Sequence, residues 1–324
     1  MQTRRESKDD FGRMSDAPFN ICTIALHVVL FVATWFGNSL VCAAIWRVRA
    51  LRTVSNMVIF SLALADLLMT AVFMYRIIHL SSGEELHSAC HAFSEIAFSD
   101  ICVIILHLTV ISVDRFIAIK FPLRYKTLVT RKRMKITLAF VWIFPLIGTV
   151  AFPHLLPKEA YEAFVDYYDS FHLCISFHHH QFQNTSKIFA AIIIVLYIFL
   201  PCVVTLSGYI YIIKVSRDQQ LKLENQAHLE RETMRKVEIK VAVTYGIIIG
   251  AFMICFLPLL TGTLYQQFKE EERKNMIRAM QILSILASVS ACVNPAVYTW
   301  RNREFRKAFK KIIRRKNDEM QNWR

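Results

Sequence analysis

In "SVDRFIAIKFPL", residues 112–123, an acid and a base stand side by side as Asp114 and Arg115. They close a long apolar run that begins near Phe93, and a basic segment follows them. The chemistry such a pair offers is electrostatic: two opposite charges held at the edge of a hydrophobic layer. Asp66 is a carboxylate inside another apolar run. Charge at such depth is expensive and marks function, so Asp66 reads as an ion- or proton-coupled site. A plainer reading makes it a satisfied acid bonded to Asn38 and Asn294. Histidines form a further group: His79, His87, His91, His154, His172 and His178–His180. Imidazoles titrate near physiological pH and in clusters bind zinc. Proton or metal sensing is one reading of them, and a solvated loop run is the other. The sequence contains no evident nucleophile–base pair, phosphate-binding glycine loop or metal triad, so the chain reads as a protein other than an enzyme.

The elements that must position these groups are apolar. Hydrophobic residues make up 55% of the 324, 24 of them Phe, and mean hydropathy is +0.36. Soluble chains hold about 45–50% apolar residues. A bilayer crossing needs roughly 20 apolar helical residues, and seven segments qualify: 21–46, 54–79, 91–119, 134–153, 188–213, 237–267 and 276–300. None alternates strictly, which disfavours a membrane β-barrel, and backbone in lipid must satisfy itself, which makes the segments helices. The expected class is all-α: a seven-helix membrane bundle.

Charge then orients the bundle. The net charge of +14 is concentrated in the links after spans one, three and five and after span seven. The opposite links are acidic or mixed, as at Glu84, Glu85, Glu159 and Asp166. Lysine and arginine mark the cytoplasmic side, so the N-terminus is expected outside and the C-terminus inside. This sidedness favours a lipid bilayer over nucleic acid as the partner of the positive charge. No signal-peptide core precedes span one, which is therefore expected to be retained as its own targeting signal. Residues 1–20 form an extracellular N-terminus, 21–300 the membrane domain, and 301–324 a cytoplasmic segment. In that last segment "NREFRKAFKKIIRRK" spaces Phe305, Phe309, Ile312 and Ile313 as on a helix, which predicts an amphipathic helix 8 on the inner leaflet. Cys90 and Cys174 are the cysteine pair outside the apolar runs, on the oxidising side, and are expected to form a disulfide. Asn184-Thr185-Ser186 is a glycosylation acceptor on the same loop.

The polar residues within the spans occur in a familiar order. They are "GNSLV" with Asn38, "SLALADLL" with Asp66, Cys90 and "DRF" at the ends of span three, and Trp142 in span four. Pro201 with Tyr209, "CFLP" with Pro258, and "NPAVY" followed by Phe305 complete the set. Over nearly its whole length the chain resembles the rhodopsin-like (class A) G-protein-coupled receptors. The resemblance implies a plasma-membrane receptor that passes an extracellular signal to a heterotrimeric G protein. It implies an inactive-state ion pair between Arg115 and Glu238, with Asp114 also holding Arg115. Opening that pair would free Arg115 for the G protein, with Tyr209 and Tyr298 turning in beside it and helix six swinging outward about Pro258. Pro122 and Leu123 resemble loop residues that dock on the G protein. Asn38, Asp66, Asn294, Pro295, Phe256 and Pro258 would form the activation core.

Departures from the pattern carry information. Phe116 follows Asp-Arg where Tyr is usual, and Phe256 stands where Trp is usual, without the indole donor. Asp100 lies one turn before Ile104, in the region of the family's sodium pocket. If Asp66 and Asp100 face each other, they cannot easily both be ionised and would hold an allosteric sodium ion or share a proton. No other cofactor is implied. Ala97 occupies the position that carries the acid of amine receptors, and Ser288 the position of the retinal lysine, so neither a protonated amine nor retinal is expected. The stretch "LRYKTLVT" resembles the adenosine receptors faintly, while Leu259, Leu260 and Thr263 lack the amide that those receptors use. The expected pocket between spans three, five, six and seven is mostly apolar, with Arg76, Tyr197 and Ser284 as polar candidates beside Ala97, Leu260, Thr263 and Ser288. A small lipid, an acid or a short peptide would fit it. The rival reading is a seven-helix transporter or ion pump. The absence of an internal repeat counts against it.

Overall fold

A computed structural model describes residues 17–82, 87–151, 153–155, 192, 194–222, 229–268 and 273–321. The helices are α1 (Ala17–Arg47), α2 (Val54–Ser82), α3 (His87–Lys120), α4 (Arg131–Leu146), α5 (Leu200–Lys222), α6 (Leu229–Phe268), α7 (Arg273–Arg301) and α8 (Arg303–Gln321). Among the described residues seven helices are long and apolar enough to cross a membrane, and no strand occurs. Cys174, Asn184, His172 and His178–His180 lie outside the described residues, as do the side chains of Cys90, His87, His91, Glu238 and Thr263.

The bundle is centred on α3, which packs against α2, α4, α5 and α6, while α1 joins α2 to α7. The core combines Val58, Ile59 and Leu62 of α2, Ile104, Ile105, Leu108 and Ile111 of α3, and Ile248, Phe252 and Phe256 of α6. Aliphatic residues such as Val29, Leu68, Ile136 and Ile210 are exposed on the outer faces, as expected of helices solvated by lipid. α8 starts where Asn302 breaks the chain from α7: its Oδ1 accepts from Glu304 N at 2.9 Å and Phe305 N at 3.4 Å. That cap satisfies donors which a helix start leaves open. The predicted stripe divides in two. Phe305 and Phe309 are buried, with Phe305 stacked on Tyr298 at 5.5 Å, whereas Ile313 is exposed.

Helix irregularities coincide with prolines. After Pro145, α4 loosens into a π-helical stretch, Ile147–Ala151. A second π-helical stretch, Ile194–Phe199, precedes Pro201. Proline has no N–H to give and crowds the preceding turn, and a wider turn absorbs that misfit.

One buried polar chain ties three helices. Trp142 of α4 donates Nε1–H to Ser61 Oγ of α2 at 2.9 Å, and Ser61 lies 2.8 Å from Nε2 of His107 of α3. The other ring nitrogen of His107, Nδ1, lies 2.8 Å from the Val103 carbonyl. A carbonyl only accepts, so Nδ1 carries the proton and Nε2 receives the Ser61 hydroxyl. The neutral imidazole thus completes the chain with no group left over. Ser61→Ala would strand the indole N–H and Nε2 together, at a cost of about 1–3 kcal/mol each. We expect the purified variant to unfold several degrees below wild type in a detergent melt; an unchanged midpoint would show that the chain carries no stability.

Candidate functional site

The end of α3 holds the acid–base pair in an almost dry place. Asp114 is 5% exposed and Arg115 4%. Arg115 Nε donates to Asp114 Oδ2 at 3.0 Å, and its Nη2 donates to Asp114 and, at 2.6 Å, to Ser55 Oγ of α2. A buried charge is tolerated only when paired and hydrogen-bonded, and these contacts meet that need. The short link after α3 adds Tyr125, in a one-turn helix Tyr125–Leu128. Its hydroxyl donates to Asp114 Oδ1 at 2.7 Å and lies 3.0 Å from Ser55 Oγ. Burial, reinforced by the Asp114 charge, pushes the Tyr125 phenol up to about 12. The hydroxyl therefore stays protonated, and a donor, throughout the physiological range. From α6 the ring of Tyr245 lies 5.6 Å from the Arg115 guanidinium carbon. Arg115 is thus held by α2, by its own neighbour and by the loop tyrosine, against a ring of α6. Tyr209 packs on α6 at Gly246, where an added Cβ would stand 3.0 Å from the ring.

Sequence reasoning missed Ser55, Tyr125 and Tyr245. Tyr125 lay in "LRYKTLVT", which was legible only as a resemblance, and Ser55 and Tyr245 carry no charge to draw attention. Glu238 lies on α6, and its side chain is outside the described residues.

Deeper in the bundle Asn294 of α7 donates to Asp66 Oδ2 at 2.8 Å. The bond from Asn38 to Asp66 that the plainer reading of this acid included is not made. Asn38 Nδ2 instead donates to the Thr34 carbonyl at 3.0 Å and the Ala291 carbonyl at 3.1 Å. The reason is local: Pro295, four residues after Ala291, has no N–H to answer that carbonyl, so α1 supplies the donor. Gly37 permits the approach, since a Cβ there would meet Pro295 Cβ and Cγ at 3.0 Å. Asp66 and Asp100 are both buried and close enough to act on each other electrostatically. Among the described residues, Asp66 Oδ1, both Asp100 carboxylate oxygens and Asn38 Oδ1 have no hydrogen-bond partner.

At the other end of the bundle Arg76 of α2 donates Nη1–H to Ser284 Oγ of α7 at 3.1 Å. The two polar pocket candidates on α2 and α7 are therefore brought together. Tyr197 is not with them. Its hydroxyl donates to the Phe144 carbonyl of α4 at 3.0 Å, and the residue is 3% exposed. The Phe144 carbonyl also accepts from the Ile147 N–H, and Gly148 leaves the room: an added Cβ would collide with the Tyr197 hydroxyl. Ser288 bonds back to the Ser284 carbonyl at 2.7 Å. Ala97 packs with Phe73, Tyr75 and Phe93, and Leu260 lies against the main core. Phe256 stacks on Phe252 at 5.3 Å. Of the histidines, His154 lies 3.7 Å from Glu95. Among the described residues no group of three or more His, Cys, Asp or Glu is placed to hold a metal ion.

The structure is thus a seven-helix bundle with a buried Asp-Arg pair at one end and an Arg76–Ser284 contact at the other. Residues 37–298 match the 7 transmembrane receptor (rhodopsin family), and the chain belongs to that family. It is similar to the adenosine receptor A2a of Homo sapiens, 31% identical over 306 residues, covering 90% of this chain and 72% of that one. The adenosine receptor A2b of Gallus gallus is 30% identical over 302 residues, covering 90% and 87%. The histamine H2 receptor of Cavia porcellus is 27% identical over 298 residues, covering 91% and 80%. The chain is accordingly a G-protein-coupled receptor, not an enzyme.

Asn38→Ala tests the α1–α7 joint. It leaves the Ala291 carbonyl without its side-chain donor, at a cost of about 1–3 kcal/mol. We expect a lower unfolding temperature than wild type, with Gly37→Ala lowering it too because the two helices must part. A melt in which both variants match wild type would refute the joint.

Proposed function

We propose that this receptor sits in the plasma membrane with its basic end inside, that Arg115 is its G-protein switch, and that its ligand is neither a protonated amine nor retinal. The observation that carries the switch is the Arg115 cluster. A charge buried at 4% exposure and bonded to Asp114 and Ser55 is stable only while those partners stay in place. Removing them makes Arg115 available to a partner entering from the same end. Two discrete arrangements of this kind give a population balance that a ligand can shift. Glu238 is the further partner that the resemblance supplies, and Tyr209 and Tyr298 are the residues that would turn in.

The ligand reading rests on what lines the other end. The histamine H2 receptors bind an amine by name, and the adenosine receptors a nucleoside. In this chain Ala97 offers no carboxylate to an amine, the acid two residues earlier, Glu95, lies 3.7 Å from His154, and Arg76 on Ser284 is a cation. Cys90 with Cys174 as a disulfide, and Asn184 as a glycosylation site, complete the proposed outer face.

The core residues fit a small cation. Asp66 and Asp100 would hold sodium with carboxylate oxygens that lack other partners among the described residues, and the ion would supply the positive charge that the two acids lack. Bridging α2 and α3 would favour the closed arrangement.

Basal nucleotide exchange on a panel of G proteins, at matched surface expression, tests the switch. Arg115→Ala should abolish basal output and Glu238→Ala should raise it. Tyr125→Phe should also raise it, since a hydrogen bond to a charged group is worth about 1.5–3 kcal/mol, on the order of a tenfold shift in the balance. No change in any of the three sinks the assignment. For the core pair, replacing choline chloride by sodium chloride at equal ionic strength should lower basal output in wild type and have no effect in Asp100→Asn. If sodium is without effect and output instead follows pH, the two acids share a proton.

A further inference from the structure

The charge of Arg76 has no partner of opposite sign among the described residues. Its one hydrogen bond goes to Ser284 Oγ, and the Ser284 hydroxyl donates onward to the Gln281 carbonyl at 2.9 Å. Ser284 is therefore an acceptor for one of the five guanidinium N–H groups, and it brings no charge. His27 of α1 is near enough to feel Arg76, but its Nδ1 lies 2.7 Å from the Thr23 carbonyl, and an imidazole offers no negative form. A second arginine, Arg278, is on α7. It lies over the Phe19 ring of α1 at 5.9 Å, six residues before Ser284, or about 9 Å along the helix. A half-buried guanidinium without a counter-charge is costly, and a bound anion is the group that would offset the cost.

The surroundings define the remainder of the ligand. On the core side of Arg76 the α1–α2–α3–α7 corner is apolar: Phe73 is buried, Tyr75 stacks on Phe93 at 4.4 Å, and Ala97, Ile285 and Val289 pack against them. We infer that this receptor recognises an amphiphile with one acidic head group, carboxylate or phosphate, held by Arg76 and Ser284 at the α2–α7 junction with its apolar body against this corner. The inference rests on the receptor reading above and names the ligand class for the same pocket. It moves the anchoring contact from the α3–α5–α6 side to the α2–α7 side. Tyr197 takes no part, because its hydroxyl is already given to α4.

The test uses the purified full-length receptor in discs of neutral phosphatidylcholine. Oleic acid and oleoyl lysophosphatidic acid are titrated against neutral oleamide, with the unfolding midpoint as the readout. We expect at least one acid to raise the midpoint saturably in wild type while oleamide does not, and the acid that does so identifies the head group. Arg76→Gln should raise the half-saturating dose by about tenfold or more, the scale of one charge-assisted contact. Arg76→Lys keeps the charge and loses the fork, so it should retain the preference for acid over amide; it serves as the measurable variant if Arg76→Gln does not fold. No stabilisation by either acid, equal stabilisation by oleamide, or a dose unmoved in Arg76→Gln and an acid preference lost in Arg76→Lys overturns the proposal. The receptor reading is judged separately in the same preparation, by basal nucleotide exchange and its loss in Arg115→Ala.

Discussion

In the hydrocarbon layer there is no water to bond the backbone, so every N–H and C=O must be answered within the protein. Helices answer most of them. Each proline inside a helix opens a gap, and the side chains around these gaps join one helix to the next. Pro295 leaves the Ala291 carbonyl open, and Asn38 of α1 takes it while Gly37 lets the backbones meet. On the other side of the bundle the turn after Pro145 loosens, Tyr197 of the π-helical stretch before α5 bonds the Phe144 carbonyl, and Gly148 makes room for it. Thr109 and Ser112 of α3 also join α5, reaching the Thr205 hydroxyl and the carbonyls of Pro201 and Thr205. An irregular backbone thus calls for a polar side chain opposite it, and the need becomes an interhelical contact.

This constraint also separates two kinds of buried polar residue. Those that satisfy backbone or one another, such as Ser61, His107 and Trp142, form closed chains in which every donor has an acceptor. They fix one arrangement. Those that keep open valences, such as Asp66 and Asp100, leave the arrangement dependent on something else. Residues of the first kind are a scaffold, and residues of the second kind are where an ion, a proton or a ligand has a handle.

Much of the fold was legible because hydrophobic run length and charge asymmetry are properties of single segments. The seven spans, the amphipathic segment after them and the prolines could all be read without knowing any contact. Partners could not. Asn38 and Asp66 share an apolar context, and proximity suggested a bond between them, yet a proline on a third helix redirected the amide to backbone. Tyr197 looked like a pocket residue because it is a polar tip in the right span. Its hydroxyl is given instead to a backbone carbonyl of α4, a pairing that leaves no local trace in the sequence. Ser55, Tyr125 and Tyr245 meet Arg115 from three separate segments, and none of the three carries a charge that would have pointed to it. Pairings across helices depend on rotation and depth together, and periodicity alone gives neither.

The two arginines near the ends of the bundle show how the same side chain can be put to different use. Arg115 is surrounded by acceptors: a carboxylate bonded to two of its nitrogens, a serine, and a tyrosine that ties both together. Its charge is compensated within the protein, so it can be exposed only by undoing several bonds at once, which makes the response of this end cooperative. Arg76 has one hydroxyl and, among the described residues, no carboxylate. Its charge is compensated by nothing the described chain provides, so the stability of its surroundings depends on what arrives there. Helices α2 and α3 run between these ends, and the Asp66–Asp100 pair lies on the same two helices. Arg76–Ser284 and Asp66–Asn294 both join α2 to α7, so a ligand held at Arg76 would act on the same helix pair that carries Asp66.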